Sequence, residues 1–199
     1  MNTLAQRIRG DLHRRINQVL DPLARGLTRL AVEPNQVTVA GTLLNVVAAG
    51  LILDGRLLAA GVVWLVAGGF DLLDGALARA GRMVTSFGAF LDSTLDRASE
   101  GVVLAAIAYH FAAHAQPAYA ALVVLALLGS VLVSYTRARA EALGAECKVG
   151  ILTRAERVLI IGVGLCVNLL PLAVWVLLVL SWLTVAQRVL HARRGLSKK

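Results

Sequence analysis

Charged side chains are scarce in this chain. They make up 16% of its 199 residues, against about 25% in an average globular domain. Hydrophobic residues make up 58%, and they fall in blocks near the ~20 residues that cross a bilayer. Together these exclude an ordinary soluble domain and point to an all-helical integral membrane protein, because only helices satisfy their own backbone in lipid without closing a barrel. Aromatics are also few, at 5%. With no aromatic stacking motif, the formal charge of +8 does not indicate nucleic acid; it fits anionic lipid and phosphate-bearing substrates. The only two cysteines, Cys147 and Cys166, lack metal or redox spacing. Met1 to Arg15 has no apolar stretch of the kind that marks a cleaved signal peptide.

What is present divides into a basic N-terminal segment, residues 1–33, and a membrane domain, residues 34–199. In residues 4–30, Leu12, Ile16, Val19, Leu20 and Leu23 recur at helical spacing among six arginines, including Arg7, Arg25 and Arg29. This predicts an amphipathic helix lying in the headgroup region. After a break at Pro34-Asn35, six spans are expected: 38–53, 57–80, 86–111, 118–142, 154–170 and 172–190. Asp54-Gly55, His114 to Pro117 and Asn168 to Pro171 supply turns between them. With that layout, nineteen of the twenty Lys and Arg residues fall on one side and only Arg56 on the other. The positive-inside rule makes the basic side cytoplasmic, with both termini there.

Four aspartates interrupt the apolar pattern. Asp71 and Asp74 are spaced i, i+3, and Asp92 and Asp96 are spaced i, i+4, so each pair shares a helix face. The short turn 79–85 makes the two helices neighbours. Each acid at the centre of a span costs about 2.5–3.5 kcal/mol on insertion scales, and intramembrane acids are functional by default. Four convergent carboxylates form an oxygen-rich site for Mg²⁺ or Mn²⁺. A purely structural role, pairing with Arg79, Arg82 and Arg97, explains them less well, because buried ion pairs are weak stabilisers. The surrounding small residues Gly75, Ala76, Ala78, Gly81, Gly88 and Ala89 allow backbones, or a flat nucleotide, to approach closely.

The pattern Asp71-x2-Asp74-Gly75-x2-Ala78-Arg79-x8-Gly88-x3-Asp92-x3-Asp96 resembles the signature of the CDP-alcohol phosphotransferases, with no signature position missing. The six-span layout and the basic N-terminal helix resemble that family too. The resemblance implies a six-helix membrane bundle, commonly a homodimer, whose cavity opens to the cytoplasm. It implies displacement of CMP from a CDP-linked lipid by an acceptor hydroxyl. By the same resemblance Asp71, Asp74, Asp92 and Asp96 hold the metal, two ions in all, and Asp96 also serves as general base. Gly75 and Ala78 line the cytidine pocket with Gly88, and Arg79 meets the nucleotide phosphates. Pro34-Asn35-x2-Thr38 is similar to the family's nucleotide-side segment; Asn35 or Thr38 could equally cap a helix.

The acceptor side rests on basic residues. Ser134, Arg137 and Arg139 lie at the end of the fourth span, Arg154 and Arg157 share a face of the fifth, and Arg188 ends the sixth. Guanidiniums from several helices can converge on a second phosphate. The same residues would also satisfy the positive-inside rule. The arrangement resembles the branch of the family that uses inositol phosphate, including its archaeal ether-lipid members, except that Arg137 stands where that branch carries lysine. The expected substrates are therefore CDP-diacylglycerol, or an ether-lipid analogue, and 1D-myo-inositol 3-phosphate. Glycerol-3-phosphate is the alternative acceptor, giving phosphatidylglycerophosphate. A neutral alcohol ranks third, since it would leave the arginines without a partner. A divalent-cation transporter would need polar residues continuing across the bilayer, and the outer halves of the spans are almost wholly apolar. A scaffold that merely dimerises would not need the acids.

Overall fold

A computed structural model describes residues 20–147 and 149–197. Seven helices and no strands are found among them: α1, helical over residues 20–29, α2 (Pro34–Leu53), α3 (Leu57–Ala80), α4 (Ser86–Ala113), α5 (Pro117–Ala142), α6 (Arg154–Cys166) and α7 (Leu170–Leu196). The expected N-terminal helix is represented by α1, where Ala24 is buried and Arg25 and Arg29 are exposed. Its earlier part, with Arg7, Leu12, Ile16 and Val19, lies outside the described residues.

Helices α2, α3, α5 and α7 are each long and apolar enough to cross a membrane. Of the helices expected to span, α4 and α6 depart from that pattern for different reasons. Helix α4 has 28 residues, but it carries Asp92, Asp96, Arg97 and Glu100. Helix α6 has only 13 residues, about 20 Å at 1.5 Å per residue, against a hydrocarbon core of about 30 Å. It ends at Cys166 rather than at the expected Leu170. Asn168 adopts a left-handed φ of 56°, and Leu169 N–H closes the turn on Gly164 O at 2.8 Å. Helix α7 in turn starts at Leu170, with Pro171 in its first turn, and runs on to Leu196. Its tail is held there because Ala192 and Leu196 pack on buried Ala140, Ala145 and Cys147.

The described chain forms two compact units, each discontinuous in sequence. One combines the residues up to Leu43 with Val66–Asp96. Its core is small: Ala24, Val37, Ala76 and Leu77, with Leu20, Leu27, Phe70 and Met83 against them. The other combines Leu44–Leu65 with the residues from Arg97 onward. Its larger core includes Ile52, Trp64, Leu104, Ile107, Leu165, Val174 and Leu177. There the first part of α3 meets α6 at small residues: a Cβ on Gly61 would lie 2.9 Å from Gly162 O and 2.7 Å from Cys166 Sγ. That close approach lets the buried Trp64 Nε1–H donate to Val158 O at 2.9 Å, a polar tie between apolar helices.

Candidate active site

The residues from Ala78 to Gly88 make a sharp reversal, and its construction explains the first site. Helix α3 closes with Gly81 N–H on Leu77 O and Met83 N–H on Ala78 O, both 2.9 Å, while Arg82 takes a left-handed φ of 54°. Helix α4 then opens on Thr85, whose Oγ1 accepts from Gly88 N–H at 3.0 Å, an N-cap on the third helical residue. Helix α2 begins at Pro34, a residue pre-set for a first turn. A cleft of about 240 Å³ lies against both helix starts. It is lined by Pro34, Asn35, Thr38, Asp74, Gly75, Ala78, Arg79, Met83, Val84, Thr85, Gly88, Ala89 and Asp92. Two helix N-termini and Arg79 beside one cleft favour an anionic, phosphate-bearing occupant.

Seven of the eight residues expected on the nucleotide side border this cleft: Asn35, Thr38, Asp74, Gly75, Ala78, Arg79 and Gly88. The eighth, Asp71, is not among the lining residues; a Cβ on Gly41 would lie 3.4 Å from its Oδ1. Gly88 leaves room that a side chain would fill, since a Cβ there would lie 3.3 Å from Asn35 Oδ1 and 3.0 Å from Thr85 Oγ1. Thr38 is not a helix cap: it lies inside α2, one turn after Pro34, and its hydroxyl is 3.1 Å from Pro34 O. Its hydroxyl lies 2.6 Å from Asp74 Oδ2, with Asp74 5% and Thr38 4% exposed.

Asp74 lies within electrostatic range of both Asp71 and Asp92. Asp96 is half-buried one turn beyond Asp92 on α4, engaged with other groups and outside the cleft lining. Among the described residues, no three His, Cys, Asp or Glu side chains already stand in the geometry of a metal-coordinating group. The donor set nevertheless fits a hard divalent cation. It is carboxylate oxygen throughout, and like charges held this close in a partly buried site favour a cation between them.

The six residues expected on the acceptor side, all in the second unit, sort into two kinds. Two are buried and structurally engaged. Arg157, 3% exposed, forms a two-pronged ion pair with Glu100, Nε to Oε1 at 2.7 Å and Nη2 to Oε2 at 2.8 Å. Arg188, 6% exposed, donates from Nε to Val149 O at 3.0 Å and from Nη1 to Val133 O. It thereby joins α7, the loop before α6 and α5. The others are more open. Arg137 is exposed and pairs with Glu141 at 2.9 Å, Arg139 is exposed, and Ser134 and Arg154 are half-buried. Arg188 lies within electrostatic range of Arg137 and Arg157, so three of the expected acceptor-side guanidiniums do gather.

Glu100 and its neighbour Ser130 were missed by sequence reasoning. The signal was present: Asp92, Asp96 and Glu100 continue one i, i+4 stripe, and an acid in a span is a functional candidate. The partner could not be read, because Arg157 is 57 positions away.

Comparison with known proteins agrees with this geometry. Residues 31–187 match the family model described as CDP-alcohol phosphatidyltransferase. The archaetidylinositol phosphate synthase of Pyrococcus horikoshii is 37% identical over 183 residues, 92% of this chain and 95% of the relative. The phosphatidylinositol phosphate synthase of Mycobacteroides abscessus is 40% identical over 187 residues, 89% and 84% of the two chains. Crystal structures of Mycobacterium tuberculosis phosphatidylinositol phosphate synthase superpose on the chain. The form with CDP-DAG bound has a TM-score of 0.81 and 35% identity, covering 88% of this chain and 94% of that one. The complex with manganese and citrate also has a TM-score of 0.81 and 35% identity, covering 87% and 88%. The matched span includes every aspartate of the motif and all the acceptor-side residues except Arg188, which follows it directly, and on that ground the chain belongs to the CDP-alcohol phosphatidyltransferase family of membrane transferases.

Proposed function

We propose that the protein transfers a phosphatidyl group from CDP-diacylglycerol, or an ether-lipid counterpart, to 1D-myo-inositol 3-phosphate, releasing CMP. The observation that carries the acceptor is the gathering of Arg188, Arg137 and Arg157 in one unit; a phosphorylated alcohol gives such a cluster its partner. The names of the relatives, which use archaetidyl- or phosphatidylinositol phosphate as product, support the same choice.

The cleft at the starts of α2 and α4 takes the CDP moiety. Gly75 and Ala78 leave room for the flat base. Arg79 and the two helix N-termini meet the diphosphate. Asp71, Asp74, Asp92 and Asp96 would hold Mg²⁺ or Mn²⁺, as two ions. When bound, the metal neutralises charge on the phosphates and makes the acceptor hydroxyl more acidic. Thr38 fixes the orientation of Asp74 by its 2.6 Å hydrogen bond. Asp96 accepts the proton of the inositol hydroxyl as the new O–P bond forms and the P–O bond to CMP breaks. Ser134, Arg137, Arg139, Arg154, Arg157 and Arg188 serve the acceptor phosphate, the buried pair Arg157 and Arg188 from fixed positions and the rest as more adaptable donors.

The same reading makes residues 34–199 a six-span domain, with the short α6 and the acid-bearing α4 completing the four clearly apolar helices, and residues 1–33 an interfacial segment. It places the basic ends and both termini in the cytoplasm by the positive-inside rule, in a homodimer in the cell membrane. Mass spectrometry of the lipid product tests the chemistry. Purified protein given CDP-diacylglycerol, Mg²⁺ and inositol 3-phosphate should form phosphatidylinositol phosphate. Product only with glycerol-3-phosphate would replace the acceptor while leaving the family reading intact.

A further inference from the structure

Glu100 is a buried acid that neither the metal site nor the nucleotide cleft uses. It is 5% exposed, and its carboxylate is fully engaged. Arg157 Nε and Nη2 take one oxygen each, at 2.7 and 2.8 Å, and Ser130 Oγ–H donates to Oε1 at 2.6 Å. A buried ion pair of this kind stabilises a fold no better, as a rule, than apolar side chains of the same volume. Stability alone therefore does not account for it. What it does is local. Holding Nε and Nη2 fixes the plane of the Arg157 guanidinium and leaves Nη1 outside the pair. Glu100 also lies within electrostatic range of Arg154, and Arg157 within range of Arg188. Without an anion between them, these like charges repel one another.

We infer that Glu100 is a positioning residue for the acceptor-phosphate site: with Ser130 it anchors Arg157 in one orientation and offsets the repulsion among the arginines around it, so that the cluster is preorganised before substrate arrives. The inference rests on the proposed role of the arginines as phosphate ligands. Preorganisation shows in substrate affinity rather than in the bond-making step, and it acts on one substrate only.

Glu100→Gln protein in detergent separates this from a merely structural role. Steady-state CMP release gives KM for inositol 3-phosphate and for CDP-diacylglycerol, with the melting temperature measured alongside. Glutamine offers Arg157 one acceptor oxygen in place of two and removes the counter-charge, while Arg157 stays a cation. The acceptor KM should rise about tenfold, the CDP-diacylglycerol KM should stay within about twofold, and Glu100→Asp should recover part of the loss. Equal changes in both KM values, or an unchanged acceptor KM, would overturn the inference. So would a lower acceptor KM, which would mean that Glu100 competes with the phosphate for Arg157. If Glu100→Gln does not fold, Ser130→Ala keeps the ion pair and removes one donor; a twofold to threefold rise in acceptor KM at an unchanged melting temperature is then expected, and no rise overturns it. Wild-type protein run with glycerol-3-phosphate keeps the two readings apart. Activity with that acceptor instead refutes the proposed substrate, and the Glu100 effect is then read on its KM.

Discussion

Thr38 on α2 donates a 2.6 Å hydrogen bond to Asp74 on α3, and both side chains are buried. The contact ties the start of one helix to the carboxylate face of the next. A hydrogen bond to a charged group contributes about 1.5–3 kcal/mol. Thr38→Val removes it at nearly constant volume, and CMP release should fall by about tenfold or more. Thr38→Ser, which keeps the hydroxyl, should retain most of the activity. Equal rates for the Val and Ser proteins would show that the hydrogen bond has no part in catalysis.

Metal removal follows from the donor set. Treatment with EDTA should abolish CMP release, and added Mg²⁺ or Mn²⁺ should restore it. Isothermal titration of the metal-free protein with Mn²⁺ should show binding that Asp74→Asn weakens by about tenfold or more, since one hard oxygen charge is lost from the site.

Arg188 makes its prediction through the loop before α6. It donates to Val149 O and Val133 O, and Gly150 packs there with a left-handed φ of 134°, in a space where a Cβ would lie 2.8 Å from Thr184 Cγ2. Leu152 N–H is held in turn by Thr184 Oγ1 at 3.1 Å. A lysine ammonium cannot reproduce the forked donation. Arg188→Lys should therefore speed amide hydrogen exchange at residues 149–152 while leaving the exchange of α2 unchanged.

The crossing of α6 and α7 is tight at Gly164, where a Cβ would lie 2.4 Å from Ala173 Cβ. Neither atom can rotate away, so the helices must separate. Gly164→Ala should cost about 1–3 kcal/mol, read as a lower melting temperature in detergent. Activity per folded molecule at low temperature should stay near wild type.

Much of this was legible in the sequence because the signals are local. The boundaries of α3 and α5 follow from Asp54-Gly55, the turn after Ala80 and Pro117. The aspartate spacing marked the carboxylate faces of α3 and α4, and the small residues between them marked the cleft. Two kinds of feature escaped. The turn at Asn168 to Pro171 was legible, but α6 stops at Cys166, ahead of the left-handed Asn168, and not at Leu170. The burial of Arg157 depends on Glu100 and Ser130, which come from two other helices. Sequence spacing alone placed Arg157 beside Arg154 on one face; folding turns it inward onto an acid.

CMP release by purified protein across an acceptor panel tests the central claim most directly. The panel is inositol 3-phosphate, glycerol-3-phosphate, free inositol and serine, each with CDP-diacylglycerol and Mg²⁺, with Asp92→Asn protein in parallel. Release with inositol 3-phosphate alone, lost in Asp92→Asn, is the result this account predicts. Release with none of the four, with Asp92→Asn indistinguishable from wild type, would contradict it.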